Sequence, residues 1–175
     1  MNPILLVLVF LLAGAPLGAQ ELPEDVRSRR LTVTGGVGNA MGWLGVQAER
    51  YFHRERISAF GGLGYTPSTD TNDANGATFA AGLRGYTPGR NHRGFLELSV
   101  SQVAIEDTVH FDEFRRFTFD EDRLYGPGAS VGYQYAANGG FTLMVSAGVG
   151  YAIGADFDNS LQPLVNLGFG FTRRR

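Results

Sequence analysis

Hydrophobic and polar residues alternate with a period of two along most of this chain, and that period is typical of β-strands with one buried face. Turn-type residues separate the alternating stretches, and none of them has the 3.6-residue period of an amphipathic helix. The chain is therefore predicted to be all-β. The eight predicted strands are Leu31–Gly38, Trp43–Phe52, Arg56–Tyr65, Ala77–Tyr86, Gly94–Val103, Leu124–Tyr135, Phe141–Ala152 and Pro163–Thr172.

The two alternating faces of these strands differ in size and polarity. One face carries Leu, Val, Phe and Tyr, and its one charged residue is Arg50. The other face is rich in Gly, Ser and Thr, and few of its residues are charged, whereas a soluble surface is ~25–35% charged. The interior of an eight-stranded barrel is just wide enough to be filled by side chains, and the bulky face is too large for it. We therefore predict that the bulky face meets lipid and that the small face lines the interior.

Closure of the sheet follows from that placement, because an open edge in lipid would leave backbone N–H and C=O groups without partners. The predicted fold is a closed eight-stranded antiparallel up-and-down transmembrane β-barrel over residues 31–172. Such barrels have short turns on the periplasmic side and longer loops outside, which places both termini in the periplasm. The predicted inner turns are His53–Glu55, Thr87–Arg93 and Ala136–Gly140, and the predicted outer loops are Asn39–Gly42, Thr66–Gly76, Ala104–Arg123 and Ile153–Gln162.

The first residues have the features of a secretory signal. A ten-residue apolar run, Ile4–Ala13, is followed by Gly and Pro residues and by Ala19, a small residue suited to cleavage. Residues 1–19 are therefore predicted to be a cleavable signal peptide. Residues 20–30 would then form a periplasmic N-terminal stretch and residues 173–175 a basic C-terminal tail, in a protein of the bacterial outer membrane.

The composition excludes several kinds of function. The chain of 175 residues has no Cys, so disulfides, Cys-ligated metals and thiol catalysis are excluded. Its formal net charge is −2, which gives no reason to expect nucleic-acid binding. No cofactor, no metal site and no catalytic residue is predicted, and the protein is expected to be a monomer.

Four charges fall on the face predicted to line the barrel: Glu49, Arg56, Arg84 and Glu97. Arg84 is predicted to lie almost opposite Glu97 across a tight hairpin, and Glu49 diagonally across the preceding hairpin from Arg56. Two interpretations remain, a polar gate or proton path and an internal salt-bridge plug. The plug is favoured, because an unpaired buried charge is very costly.

The predicted loop Ala104–Arg123 is dense in acids with interleaved aromatic residues. It is a candidate surface-interaction loop, either through an unknown partner or through divalent cations that bridge to lipopolysaccharide. The alternative is a solvated loop without a ligand, and Phe117–Phe119 could equally extend the sixth strand above the membrane. The candidate residues are Glu106, Asp107, Asp112, Glu113, Arg115, Arg116, Phe117, Phe119, Asp120, Glu121 and Asp122.

The signal, the eight alternating strands and the aromatic residues Phe169 and Phe171 of the last strand resemble the small outer-membrane β-barrels of the OmpA transmembrane domain and OmpX type. The resemblance covers nearly the whole mature chain and is one of pattern. It implies contact with outer-membrane lipid and lipopolysaccharide, a structural or surface-interaction role, and a porin-like fold without an open pore.

Two other functions are compatible with a barrel of this size. One is a secreted, soluble lipocalin-like binder of an apolar ligand, which would place the bulky face inside. The other is a lipid-modifying outer-membrane enzyme, which needs a nucleophile with a base in reach. The histidines are His53, His92 and His110, and the nearest hydroxyl to His110 is that of Thr108. The chain is therefore not expected to be an enzyme.

Overall fold

The computed structural model describes residues 29–39, 41–66, 76–111, 117–154 and 160–174. These residues form eight strands in a closed antiparallel barrel in which each strand pairs with its neighbours in sequence and β1 pairs with β8. The predicted signal peptide lies outside the described residues. The strands are β1 (Arg29–Gly38), β2 (Gly42–Phe52), β3 (Ile57–Thr66), β4 (Gly76–Tyr86), β5 (His92–Phe111), β6 (Phe117–Ala136), β7 (Phe141–Tyr151) and β8 (Leu161–Arg174).

The barrel has two different ends. Three short connections, the start of β1 and the end of β8 lie at one end, which we call the turn end; its connections are residues 53–56, 87–91 and 137–140. The other connections lie at the opposite, loop end. The paired strands reach Arg29 and Arg174, two residues beyond the predicted limits on each side. The up-and-down topology is as predicted.

The two faces of the strands point as predicted. The bulky residues lie outside, where Leu63, Leu98 and Phe171 are 71%, 60% and 68% exposed. The opposite face is buried inside the barrel, with Ser, Thr and Gly residues from every part of the sheet. Larger side chains also lie inside, and they fill the interior beyond what small residues alone could: Tyr51, Phe60, Tyr86, Phe95, Met144 and Leu164.

The hairpin of β5 and β6 differs most from the prediction. A loop is predicted over Ala104–Arg123, but the two strands stay paired from Ala104↔Leu124 to Phe111↔Phe117. This ribbon is roughly 25 Å long at the usual rise of ~3.3 Å per residue. The bulge at Val103, which is skipped in the pairing, marks its base. The alternation of apolar and polar residues that predicts a strand is absent from this charged segment, because a ribbon beyond the barrel has no face that must be apolar.

Glycine allows close packing inside the barrel, and this gives a test of the assigned faces. A methyl group at Gly148 would overlap the backbone of Ala129 and Ser130, whereas one at Gly61 would meet no atom within 4 Å. Gly148→Val is therefore expected to lower the unfolding free energy by about 1–3 kcal/mol through overpacking. Gly61→Val, the matched change on the outward face, is expected to have little effect. Urea titration of the refolded variants measures both, and equal losses would contradict the assignment of faces.

Candidate functional site

A buried ionic cluster lies on the inner face of the barrel, toward the turn end, with Glu49 three residues from the end of β2 and Arg84 two residues from the end of β4. We call Gln47, Glu49, Arg84 and Glu97 the central cluster. Arg84 and Glu97 are direct cross-strand partners on β4 and β5, as predicted, and each is 1% exposed. The Arg84 guanidinium donates from Nε to Glu97 at 2.7 Å and lies 2.6 Å from the same carboxylate through Nη2. The pairing is therefore short and shielded from water.

Arg84 also holds a second carboxylate. Its Nη1 lies 3.1 Å from Glu49 Oε2, and Gln47, with its amide oxygen turned toward Arg84, accepts from Nη1 at 2.7 Å and from Nη2 at 2.8 Å. The rings of Phe60 and Phe95 lie 4.1 and 5.0 Å from the guanidinium carbon, within cation–π range. One buried cation thus serves two carboxylates, so its loss would leave both acids without their positive partner.

Glu49 is also held by hydroxyl groups. Tyr86 donates to Glu49 Oε1 at 2.5 Å and Tyr51 donates to Oε2 at 3.2 Å, while Ser58 makes a further short hydrogen bond to the carboxylate. Each donor stabilises the charged form of the acid. The sequence prediction paired Glu49 with Arg56, and the structure shows otherwise. Arg56 lies exposed in the turn before β3, because that strand begins only at Ile57.

A second ionic cluster closes the turn end. We call Arg29, Glu55, Arg93 and Gln134 the end cluster. Arg93 Nη1 lies 3.3 Å from Glu55 Oε2 and Arg29 Nε lies 3.8 Å from the same oxygen. Gln134 Oε1 accepts from Arg93 at 2.8 Å and from Arg29 at 3.1 Å. Arg29 and Arg93 are each 3% exposed, so the end of the barrel is filled by paired guanidinium groups.

The turn that carries Glu55 has an unusual backbone. His53, Arg54 and Glu55 have φ values of 46°, 54° and 64°, a left-handed conformation that residues other than glycine rarely adopt. The Glu55 carboxylate also accepts from the backbone N–H of Arg29, and its carbonyl accepts from Arg93 at 3.0 Å. These contacts tie the strained turn to buried arginines across the end of the barrel.

The two clusters form one hydrogen-bonded network. Tyr51 connects them, because it donates to Glu49 and accepts from Gln134 Nε2 at 2.9 Å. The central cluster has two carboxylates and one guanidinium, and the end cluster has two guanidinium groups and one carboxylate. The charges therefore balance over the whole network and not within either cluster. The end cluster and Tyr51 were missed from the sequence, although Tyr51 and Arg93 continue the inward alternation of their strands.

The acidic candidate residues lie on the ribbon and at its tip. Asp112, Glu113, Arg115 and Arg116 lie outside the described residues. The backbone positions of the others are strand, and two pairs of acids lie directly opposite each other, Glu106↔Asp122 and Asp107↔Glu121. The remaining candidates, Phe117, Phe119 and Asp120, lie on β6. The ribbon therefore concentrates negative charge beyond the loop end.

The ribbon has few strand neighbours of its own. Within the described part of the chain, β4 pairs with β5 as far as Ala80↔Ser101, and β7 pairs with β6 as far as Gly128↔Gly150. One further backbone hydrogen bond, from the N–H of Ile153 to the carbonyl of Tyr125, lies beyond the last β6–β7 pair. Among the residues that the structure describes, neither β4 nor β7 is therefore paired with the ribbon beyond its base.

Few other features of the described residues bear on metal binding, membrane crossing or catalysis. Among the residues that the structure describes, no group of three or more His, Cys, Asp or Glu side chains could hold a metal ion, and no helix there is long and apolar enough to cross a membrane. His53 is exposed in its turn, and His92 Nδ1 is hydrogen-bonded to the Tyr133 hydroxyl. The side chain of His110 lies outside the described residues.

The sequence matches no protein-family model, and a search of curated proteins finds none similar to it. The eight-stranded barrel is an architecture that outer-membrane barrels and lipocalin-like binders share. A functional interpretation therefore depends on which surface of this barrel is apolar and on what fills its interior.

Proposed function

We propose that this protein is a bacterial outer-membrane β-barrel of the OmpA transmembrane domain and OmpX type, with a structural or surface-interaction role and no open pore. The observation that carries the proposal is the outward face of the closed barrel. From Leu44 on β2 to Val165 on β8, its bulky apolar side chains are exposed around the sheet. Monomeric soluble proteins rarely expose a continuous apolar surface of this extent.

Aromatic residues near both ends support a membrane location. Phe52, Phe141 and Phe171 are exposed near the turn end, and Tyr65 and Tyr151 are exposed near the loop end. Transmembrane barrels carry such aromatic girdles at the two interfaces, with an apolar band between them. The positions of these rings support a barrel that crosses the membrane along its length.

The interior argues against both solute passage and the binding of an apolar ligand. The inward side chains are buried, and the central cluster fills the interior toward the turn end with charged and amide groups. A lipocalin-like binder would need an apolar cavity there and a polar outer surface. The observed distribution is the reverse, and it supports the plug over the gate among the two interpretations of the lumen charges.

The ribbon supports an interaction role at the cell surface. It continues β5 and β6 beyond the barrel, its outer edges are not paired with β4 or β7 within the described part of the chain, and its residues include the acidic pairs described above. A partner could add a strand to such an edge. The turn end would then face the periplasm, since short turns lie on that side in such barrels.

Trypsin treatment of intact cells tests this orientation, because every basic cleavage site in the chain is an arginine. We expect cleavage at Arg115 or Arg116, between β5 and β6, and no cleavage at Arg54 or Arg90 in the turns. Once the outer membrane is permeabilised, Arg54 and Arg90, which are exposed, should be cut as well. Fragment masses distinguish these sites.

The matched control is Arg115→Gln/Arg116→Gln, which should resist trypsin in intact cells. Cleavage at Arg54 in intact cells would reverse the orientation. Recovery of the folded protein in a detergent-free soluble fraction would overturn the membrane location itself.

A further inference from the structure

The turn end carries a concentration of positive charge that the buried network does not use. Among the described residues, the exposed charged side chains at this end are all arginines, whereas Glu55 is half-buried and paired, and Glu49 and Glu97 are inside. The exposed arginines are Arg30, Arg50, Arg54, Arg56, Arg90 and Arg173.

Two of these arginines lie on the outward face of the sheet, among residues that would meet lipid. Leu31 pairs with Arg50 on β2 and with Arg173 on β8, so the three side chains lie side by side across neighbouring strands. The two arginine Cα atoms are about 10 Å apart, or two strand spacings. Arg30 directly precedes Leu31 in the chain and lies at the bulge of β1 between Arg29 and Leu31. Three arginine positions thus flank one exposed apolar residue.

The position of these arginines explains how an apolar face can tolerate them. Arg50 lies two residues from the end of β2, and Arg173 lies one residue from the end of β8. A lipid-facing arginine costs about 2–4 kcal/mol at the bilayer midplane but only about 0–1 near the interface. At the interface, an arginine can bury its aliphatic stem and extend its guanidinium toward the headgroups.

We propose that Arg50 and Arg173, with Leu31 between them and Arg30 beside it, bind the phosphate of anionic phospholipids in the leaflet at the turn end. Guanidinium groups match phosphate oxygens in a bidentate geometry, and Leu31 is placed to contact an acyl chain of the same lipid. The inference rests on the proposed membrane location. A membrane location alone does not require the barrel to prefer anionic lipids over neutral ones. The proposed phosphate site adds that preference.

Native mass spectrometry of the full chain in detergent tests it, with phosphatidylglycerol and phosphatidylcholine of identical acyl chains as probes. We expect phosphatidylglycerol to bind about tenfold tighter, because each arginine near an anionic lipid contributes several-fold. Arg50→Gln/Arg173→Gln should remove most of this preference. Arg54→Gln/Arg90→Gln, which removes the same charge from the turns, should keep it.

Equal binding of the two lipids by the unaltered protein, or an equal loss in the control variant, would overturn the inference. Insertion into vesicles of phosphatidylcholine alone separates it from the proposed function. A protein that inserts but shows no preference refutes only the phosphate site, whereas one that enters no vesicle refutes the membrane location too. Both variants change exposed side chains, and heat-modifiable gel migration verifies that the barrel still folds.

Discussion

Arg84→Met is expected to lower the free energy of unfolding by about 3–5 kcal/mol, the usual cost of removing one partner from a buried ion pair. The loss is large because Arg84 is the cation between Glu49 and Glu97, both nearly inaccessible to water. Methionine keeps much of the side-chain volume beside Phe60, so the missing charge dominates the effect. Urea titration of the protein refolded in lipid vesicles, followed by gel migration, measures it.

Two variants separate charge from packing in this experiment. Arg54→Met removes an exposed arginine and should change stability by less than about 0.5 kcal/mol. Glu49→Gln/Arg84→Met/Glu97→Gln should recover much of the loss, because no carboxylate is then left charged in the central cluster without its guanidinium partner. If Arg84→Met were as stable as the unaltered protein, the plug interpretation of the central cluster would be wrong.

Leu98→Arg is expected to destabilise the barrel in lipid by about 2–4 kcal/mol, the cost of a lipid-facing arginine near the bilayer midplane. Leu98 lies outward in the middle of the barrel part of β5, between Leu83 on β4 and Ala129 on β6. It is 60% exposed in the isolated chain. On a soluble surface the same change would cost less than about 0.5 kcal/mol, so the variant discriminates between lipid and water outside the barrel.

Ile153→Arg is the matched control for Leu98→Arg. Ile153 is 64% exposed but lies just beyond β7 at the loop end, where an arginine can reach water. The expected cost is about 0–1 kcal/mol. Urea titration in vesicles compares the two variants, and equal stability would refute the proposed membrane location.

Much of the fold could be predicted because one physical rule governs every strand of the barrel. Side chains alternate between two surroundings, so parity separated Leu63 and Phe171 from Glu49 and Arg84, and the size and charge of the two faces indicated which one points outward. The pairing of Arg84 with Glu97 also followed from the sequence, since a short hairpin sets the register of its two strands. These predictions needed only local information.

The network that joins the two clusters could not be predicted in the same way. Glu49 contacts Arg84 on a strand that is not its neighbour in the sheet, and Tyr51 of β2 contacts Gln134 of β6. Such contacts cross the interior, and they depend on barrel closure and on the length of each side chain. The wrong assignment of Arg56 has the same origin, because its proximity in sequence gave no information about contacts across the barrel.

The sequence by itself determined the number of strands, their order and the face that each residue occupies, because the pleat of a strand converts alternation into two faces and the size and charge of each face indicate which one is inside. The tertiary structure decided which buried charges meet, how Glu55 caps the turn end, and where β5 and β6 leave the barrel as a ribbon. Those features depend on curvature and closure, which bring together residues that the chain separates by many positions.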